Sequence, residues 1–163
     1  LYTSILSILF LTCCDKNSGG MDPCDNCHTN IFKCKINGVD WKSDCIPDPL
    51  FGCNSISLTF DNNSNDLEII GSNDKLKNVI KLSSRSIIMN SKSFLKDNSG
   101  YSDRNFTGGC NYFEFIKDTS YTYIKVNDLD RSKRILTCVF EMHCLGRCGD
   151  LIKVTNGRFS VKY

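Results

Sequence analysis

From Ile31 onward, apolar and polar residues alternate with a period of two, and no stretch keeps a helical period for three turns. The clearest case is Arg158-Phe159-Ser160-Val161-Lys162-Tyr163, where Phe159, Val161 and Tyr163 share one face. The same pattern predicts strands at Ile31–Ile36, Ser55–Phe60, Leu67–Gly71, Val79–Ser84, Asn111–Lys117, Thr122–Val126, Arg134–Cys144 and Leu151–Thr155. Asn37-Gly38 is a tight-turn signal that pairs the first strand with Val39-Asp40-Trp41, and Asn156-Gly157 predicts a second hairpin before the last strand. Ser86–Asn105 is the least defined stretch, with Ile87, Ile88 and Met89 readable as a strand or as one helical turn. Short strands with one apolar face, separated by Asn, Asp, Gly and Ser, predict an all-β fold, a single antiparallel β-sandwich or barrel-like domain. Trp41 is large enough to cap one end of it.

The pattern differs at the N-terminus. Ile5–Leu11 is an apolar run that ends at Cys13-Cys14 and turns polar at Asp15-Lys16. A secretory core of roughly 7–15 apolar residues fits this run, which is shorter than the about 18 needed to span a bilayer. The junction predicts a lipoprotein signal over residues 1–14. Lipidation is expected at Cys14, which follows Leu11-Thr12-Cys13; the alternative is Cys13, preceded by the bulkier Phe10-Leu11-Thr12. Residues 15–30, rich in Asn, Ser, Gly, Asp and Pro, predict a flexible tether, and residues 31–163 the folded domain. The expected location is the cell envelope, as an outer-membrane lipoprotein facing the periplasm or the cell surface. The chain starts at Leu1 with neither methionine nor a basic segment, so a truncated reading frame is expected.

Composition adds the redox setting. Eleven cysteines in 163 residues fit an exported chain in an oxidising compartment, where disulfides persist. With Cys14 lipidated, Cys24, Cys27, Cys34, Cys45, Cys53, Cys110, Cys138, Cys144 and Cys148 remain, an odd set that leaves at least one thiol over. Cys45 and Cys53 flank a turn-rich loop that a local bridge would hold, and Cys144 with Cys148 would close the Gly146 turn. Cys34 and Cys138 fall on apolar strand faces, as a core bridge or as inert thiols. Twenty basic against eighteen acidic residues give a net charge of +2, with no dense basic run, so nucleic acid is not an expected partner.

Candidate chemistry is sparse. Cys24-Asp25-Asn26-Cys27-His28 has the spacing for covalent c-type haem, with Met142 or His143 as a second axial ligand. Alternatively, Cys24, Cys27 and His28 with one of Cys34, Cys144 or Cys148 suit tetrahedral zinc. Disulfides without cofactor or metal are the expected state. The two histidines, His28 and His143, and the lack of a Gly-x-Ser-x-Gly elbow give hydrolytic chemistry little support. Asp61–Asp66 and the Asp128, Asp130 pair read as turn acids, and Arg158 as a solvated or cross-strand cation. Tyr112, Tyr121 and Tyr123 form an aromatic set suited to glycan or protein contacts.

Phe32-Lys33-Cys34-Lys35-Ile36-Asn37-Gly38-Val39-Asp40-Trp41 and Ile152-Lys153-Val154-Thr155-Asn156-Gly157-Arg158-Phe159-Ser160-Val161-Lys162-Tyr163 resemble the two signatures of a family of uncharacterised small lipoproteins from Bacteroidota. Leu136-Thr137-Cys138 stands where Ser-Gly-Thr is commoner in that family. The resemblance implies an exported β-rich domain and supplies no catalytic residue. The expected protein is a non-enzymatic, disulfide-bearing module on a lipid anchor, acting by binding or as an envelope component; the alternative is a haem or zinc protein.

Overall fold

A computed structural model describes residues 30–163 except 48, 49, 51, 52, 106–109 and 119. Residues 1–29, with the predicted signal, Cys13, Cys14, most of the tether, Cys24, Cys27 and His28, lie outside the described residues. Eleven strands follow in order: β1 Ile31–Ile36, β2 Val39–Lys42, β3 Ile56–Asp61, β4 Asp66–Asn73, β5 Asn78–Ser84, β6 Lys92–Ser93, β7 Gly100–Asp103, β8 Tyr112–Phe115, β9 Tyr123–Asp130, β10 Ile135–Gly146 and β11 Leu151–Lys162. They form one antiparallel sheet ordered β2-β1-β11-β10-β8-β7-β5-β4-β3, with β9 on β10 and β6 on β9. The fold is all-β, as the alternation predicts.

The sheet forks at β10. Ile135–Glu141 pair with β9, whereas Cys144–Gly146 pair with β8 along the same edge. Between the branches, the His143 carbonyl accepts the Ile116 N–H at 2.7 Å and the His143 N–H reaches the Thr122 hydroxyl at 3.3 Å. The branch point therefore leaves no orphan at His143.

Three local expectations need correction. Asn156-Gly157 is not a hairpin turn, because β11 runs through it. Phe140 pairs with Gly157 and Met142 with Val154, so β11 carries one extra residue, a bulge with Asn156 at φ 53°. Similarly, Asn127 is a bulge inside β9, which continues to Asp130 instead of ending at Val126. Ile87, Ile88 and Met89 form neither a strand nor a helical turn: Met89 makes an isolated bridge to Val126, and the stretch from Ser86 to Asn105 contributes β6 and β7 instead. Asn37-Gly38, at φ 49° and 85°, makes the expected turn between β1 and β2.

The inner face carries one apolar core whose largest fully buried side chains include Phe32, Phe113, Phe140 and Phe159. Each such side chain stabilises the fold by about 1.5–3 kcal/mol through burial. Glycine makes room for three of the rings. A Cβ on Gly157 would lie 2.5 Å from the Phe140 ring, one on Gly146 2.6 Å from Phe113, and one on Gly71 2.9 Å from Phe32. Phe140–Gly157 and Phe113–Gly146 are direct cross-strand pairs, so each ring lies across the gap on its neighbouring strand and the sheet can curl there. The third contact presses β1 onto β4 across the interior.

That curl brings the β2 end of the strand order against β4. Beyond β2, the Asp44 N–H bonds the Ser72 carbonyl at 2.9 Å, and the Asp74 N–H bonds the Asp44 carbonyl at 3.0 Å. Trp41, packed edge-on against Phe32, seals this end. Its Nε1–H donates to Asn78 Oδ1 at 2.6 Å, Asn78 Nδ2 donates to the Tyr101 hydroxyl at 3.3 Å, and that hydroxyl donates to Asp103 Oδ2 at 2.9 Å. The buried polar groups are thus paired in a chain that leads out to solvent.

Gly157→Ala should destabilise the protein by about 1–3 kcal/mol in urea unfolding, the usual range for overpacking. Combined with Phe140→Leu it should cost less than the sum of the two single changes, since the smaller side chain frees the space; strict additivity would show that the contact is not the cause.

Candidate functional site

The outer face of β9 and β10 carries two tyrosines with polar partners. Tyr121, in the turn before β9, stacks on His143 with centroids 5.0 Å apart and planes 5° apart, and stays 51% exposed. Tyr123 pairs across strands with Glu141, two residues before His143, so both tyrosines stand on one side of the sheet. Lys92 places its ammonium 3.8 Å from the centre of the Tyr123 ring, a cation–π contact. Partial burial raises the Tyr123 phenol pKa, and the Glu141 carboxylate raises it further.

Tyr112 does not join them. It lies on β8 opposite Ser102, on the other branch of the fork, 37% exposed. Partial burial raises its pKa, with the Glu114 charge second.

A row of cations crosses the same outer face, and no local sequence signal announces it. Following direct cross-strand partners from β2 to β6, the positions are Lys42, Lys33, Arg158, Val139, Lys125 and Lys92. Cross-strand partners point to the same face, so five of these six side chains form a basic line over six strands. Lys42, Lys33 and Lys92 are exposed, Arg158 and Lys125 half-buried. Among the described residues none of the five is in an ion pair, whereas Lys35, Lys75, Lys81, Lys96, Lys117 and Lys133 all are. Like charges stand directly opposite at Lys42/Lys33, Lys33/Arg158 and Lys125/Lys92, an arrangement that costs up to about 1 kcal/mol a pair.

Of the candidate acids, Asp61 and Asp130 end their strands and cap turns, whereas Asp128 is not a turn residue: β9 runs on past Val126 and pairs it with Thr137. The Asp61 carboxylate accepts the Asn63 N–H at 2.8 Å and the Ser64 hydroxyl at 2.9 Å, and these bonds hold its pKa below the usual value. Asp130 does the same for Ser132 and Lys133 at the β9–β10 turn. Two shallow grooves flank the β6–β9 branch. One, of about 350 Å³, is lined by Phe94, Leu95, Phe115 and Thr122 beneath the Lys117–Asp97 ion pair; the other, of about 300 Å³, by Phe60, Ile87, Met89 and Leu129. Both are at the small end for a ligand cavity.

Cysteine chemistry divides between rim and interior. Cys45 is bonded to Cys53, closing the connection from β2 to β3. Cys148 is bonded to Cys110, not to Cys144, and so ties the β10–β11 turn to the β7–β8 connection. Strand alternation explains the correction: Cys144 points into the core from β10, while Cys148 lies in the turn beyond it. Cys34 and Cys138 are not bridged to each other but are inert buried thiols, the second of the two expected states, and Cys144 is a third. Burial pushes the thiols of Cys34 and Cys144 up to about 12, and that of Cys138 well above its ordinary value.

Cys34 and Cys144 are therefore buried, and Cys148 is already oxidised, which leaves none of the three free at the surface to complete a zinc site with Cys24, Cys27 and His28. Met142 is fully buried on the inner face and His143 lies on the outer, so these neighbours face opposite ways. Among the described residues no group of three or more His, Cys, Asp or Glu side chains is placed to hold a metal ion. Compared with models of known families, with curated proteins and with solved structures, the chain matches none.

The three thiols set an alkaline limit on stability. Below pH 9.0, their ordinary pKa, they are protonated folded and unfolded alike. Above it only the unfolded chain ionises, so unfolding free energy should fall by about 1.4 kcal/mol per pH unit for each thiol. Cys34→Ala, Cys138→Ala and Cys144→Ala together should flatten urea-unfolding stability between pH 9 and about 12. Native protein at neutral pH should resist iodoacetamide at all three positions, and denatured, unreduced protein should not.

Proposed function

We propose that this chain is a non-enzymatic binding module of the cell envelope, held by a lipid on Cys14, or alternatively Cys13, and stabilised by disulfides. Its ligand is a glycan, held on the outer face of β9 and β10. The observation that carries this reading is the Tyr121–His143 stack beside the Tyr123–Lys92 pair: two part-exposed aromatic faces fixed on a rigid sheet. Flat rings held in this way offer apolar area to a sugar face at little cost in side-chain entropy, and their polar edges hydrogen-bond its hydroxyls.

The anchor is supported by the apolar run ending at Cys13-Cys14 and by the likeness to the small lipoproteins of Bacteroidota. The two rim bridges suit a domain that works outside the cytoplasm. The alternative, a c-type haem or zinc protein through Cys24, Cys27 and His28, rests on motif spacing alone.

Tyr121→Ala with Tyr123→Ala should leave thermal unfolding nearly unchanged while weakening the strongest signals on a glycan array. At about 1 kcal/mol per ring the loss is about thirtyfold; unchanged binding would remove this face from consideration. In a host that lipidates exported proteins, radiolabelled palmitate should enter the wild-type chain and be lost on Cys14→Ser; label retained there but lost on Cys13→Ser would move the anchor by one residue.

A further inference from the structure

We propose that the basic row Lys42, Lys33, Arg158, Lys125 and Lys92 recognises a linear polysaccharide bearing an anionic group on each sugar, laid across the strands. The proposal rests on the reading of this face as glycan-binding and names the class of glycan.

Among the described residues, the fold leaves the charge of this row without ion-pair partners. The whole chain carries only +2, yet this row holds five cations with no ion pair among the described residues. The carboxylates closest to the row have other partners: Asp40 is engaged by Lys35 at 3.5 Å, Asp44 is held by Lys75 at 2.8 Å, which lowers its pKa with help from the Lys42 charge, Glu141 stands opposite Tyr123, and Asp128 opposite Thr137. Three directly opposed like-charge pairs work against the folded sheet. An anionic ligand laid along the row relieves all three.

The pitch of the row matches a sugar polymer. Neighbouring strands lie about 4.8 Å apart, so the six strands place the row over about 24 Å. That pitch is close to the length of one hexose unit, so a polymer with one carboxylate per sugar meets a cation at nearly every step. Val139 is the single gap.

The shape of the face favours a flexible ligand. The core fills the inner face, so the outer face is convex, and the row runs across the strands, along the direction in which the sheet curls. A flat anionic bilayer would touch the middle of such an arc and miss its ends. A flexible polymer follows it. The row also ends where Lys92 covers Tyr123, next to the Tyr121–His143 stack, so a chain leaving the cations continues onto aromatic faces.

The test is calorimetry on the full chain with polygalacturonate. Binding is expected and should weaken more than tenfold as ionic strength rises from about 0.01 M to about 1 M, because the Debye length falls from about 30 to about 3 Å. Lys33→Gln with Arg158→Gln should weaken it more than tenfold while leaving the melting temperature equal or higher, since opposed charges are removed. Lys81→Gln, a cation on the β3–β5 side of the sheet and outside the row, should change it less than twofold. Binding that is salt-insensitive, or unaffected by the double variant, overturns the proposal. Tighter binding to oligothymidylate or to phosphatidylglycerol vesicles overturns the choice of a polysaccharide. A chain that holds a neutral array glycan through Tyr121 and Tyr123 but ignores polygalacturonate refutes the anionic class alone, and one that binds neither refutes the glycan reading with it.

Discussion

The contact on which the sheet depends is that of the Phe140 ring with Gly157. The two residues are direct partners on the central pair of strands, and a side chain on β11 at this point would occupy the volume of the ring. The extra residue at Asn156 lets β11 bend while keeping pairs with β1 on one side and β10 on the other. Without the bend, Phe32 would not reach Gly71, and Trp41 would not close over Asn78. The inner core and the convex outer face are two sides of one curvature.

Covalent and noncovalent support are separated accordingly. Where packing is dense, cysteines serve as small apolar side chains, and Cys34, Cys138 and Cys144 are placed like the leucines and phenylalanines beside them. Where the chain leaves the sheet, at the β2–β3 connection and at the two connections joined by Cys110 and Cys148, bridges replace packing. An oxidising environment acts only on the second group.

Much of the strand plan is legible in the sequence because alternation and turn chemistry act locally. Asn37-Gly38 and the neighbouring Trp41 show this well. Asn156-Gly157 carries the same local signal but is a bulge, since an Asn at positive φ followed by Gly serves either geometry and the partner strands decide between them. Gly100-Tyr101-Ser102-Asp103 escaped recognition because a short segment with Gly, Ser and Asp has little intrinsic strand preference; pairing with β5 and β8 makes it a strand. The pairing of Cys110 with Cys148, separated by 38 residues, and the basic row, whose members come from five strands, depend on register and leave no local trace. Tyr121 and Tyr123 were legible as a pair, but their partners His143 and Lys92 come from β10 and β6.

The pairing of the first strand with the last also governs the order of folding. β1 hydrogen-bonds along β11, and the Lys153 N–H bonds the Asn37 side chain across 116 positions of sequence. Contacts so distant in sequence are late and slow to form. A chain that emerges from its N-terminal side holds Phe32 and Trp41 without their final neighbours until residues 151–162 have followed. The β9–β10–β11 meander, built from consecutive strands, forms without waiting for them. Completion of this sheet is therefore a post-emergence event, and the interval before it is when the protein most needs shelter from its neighbours.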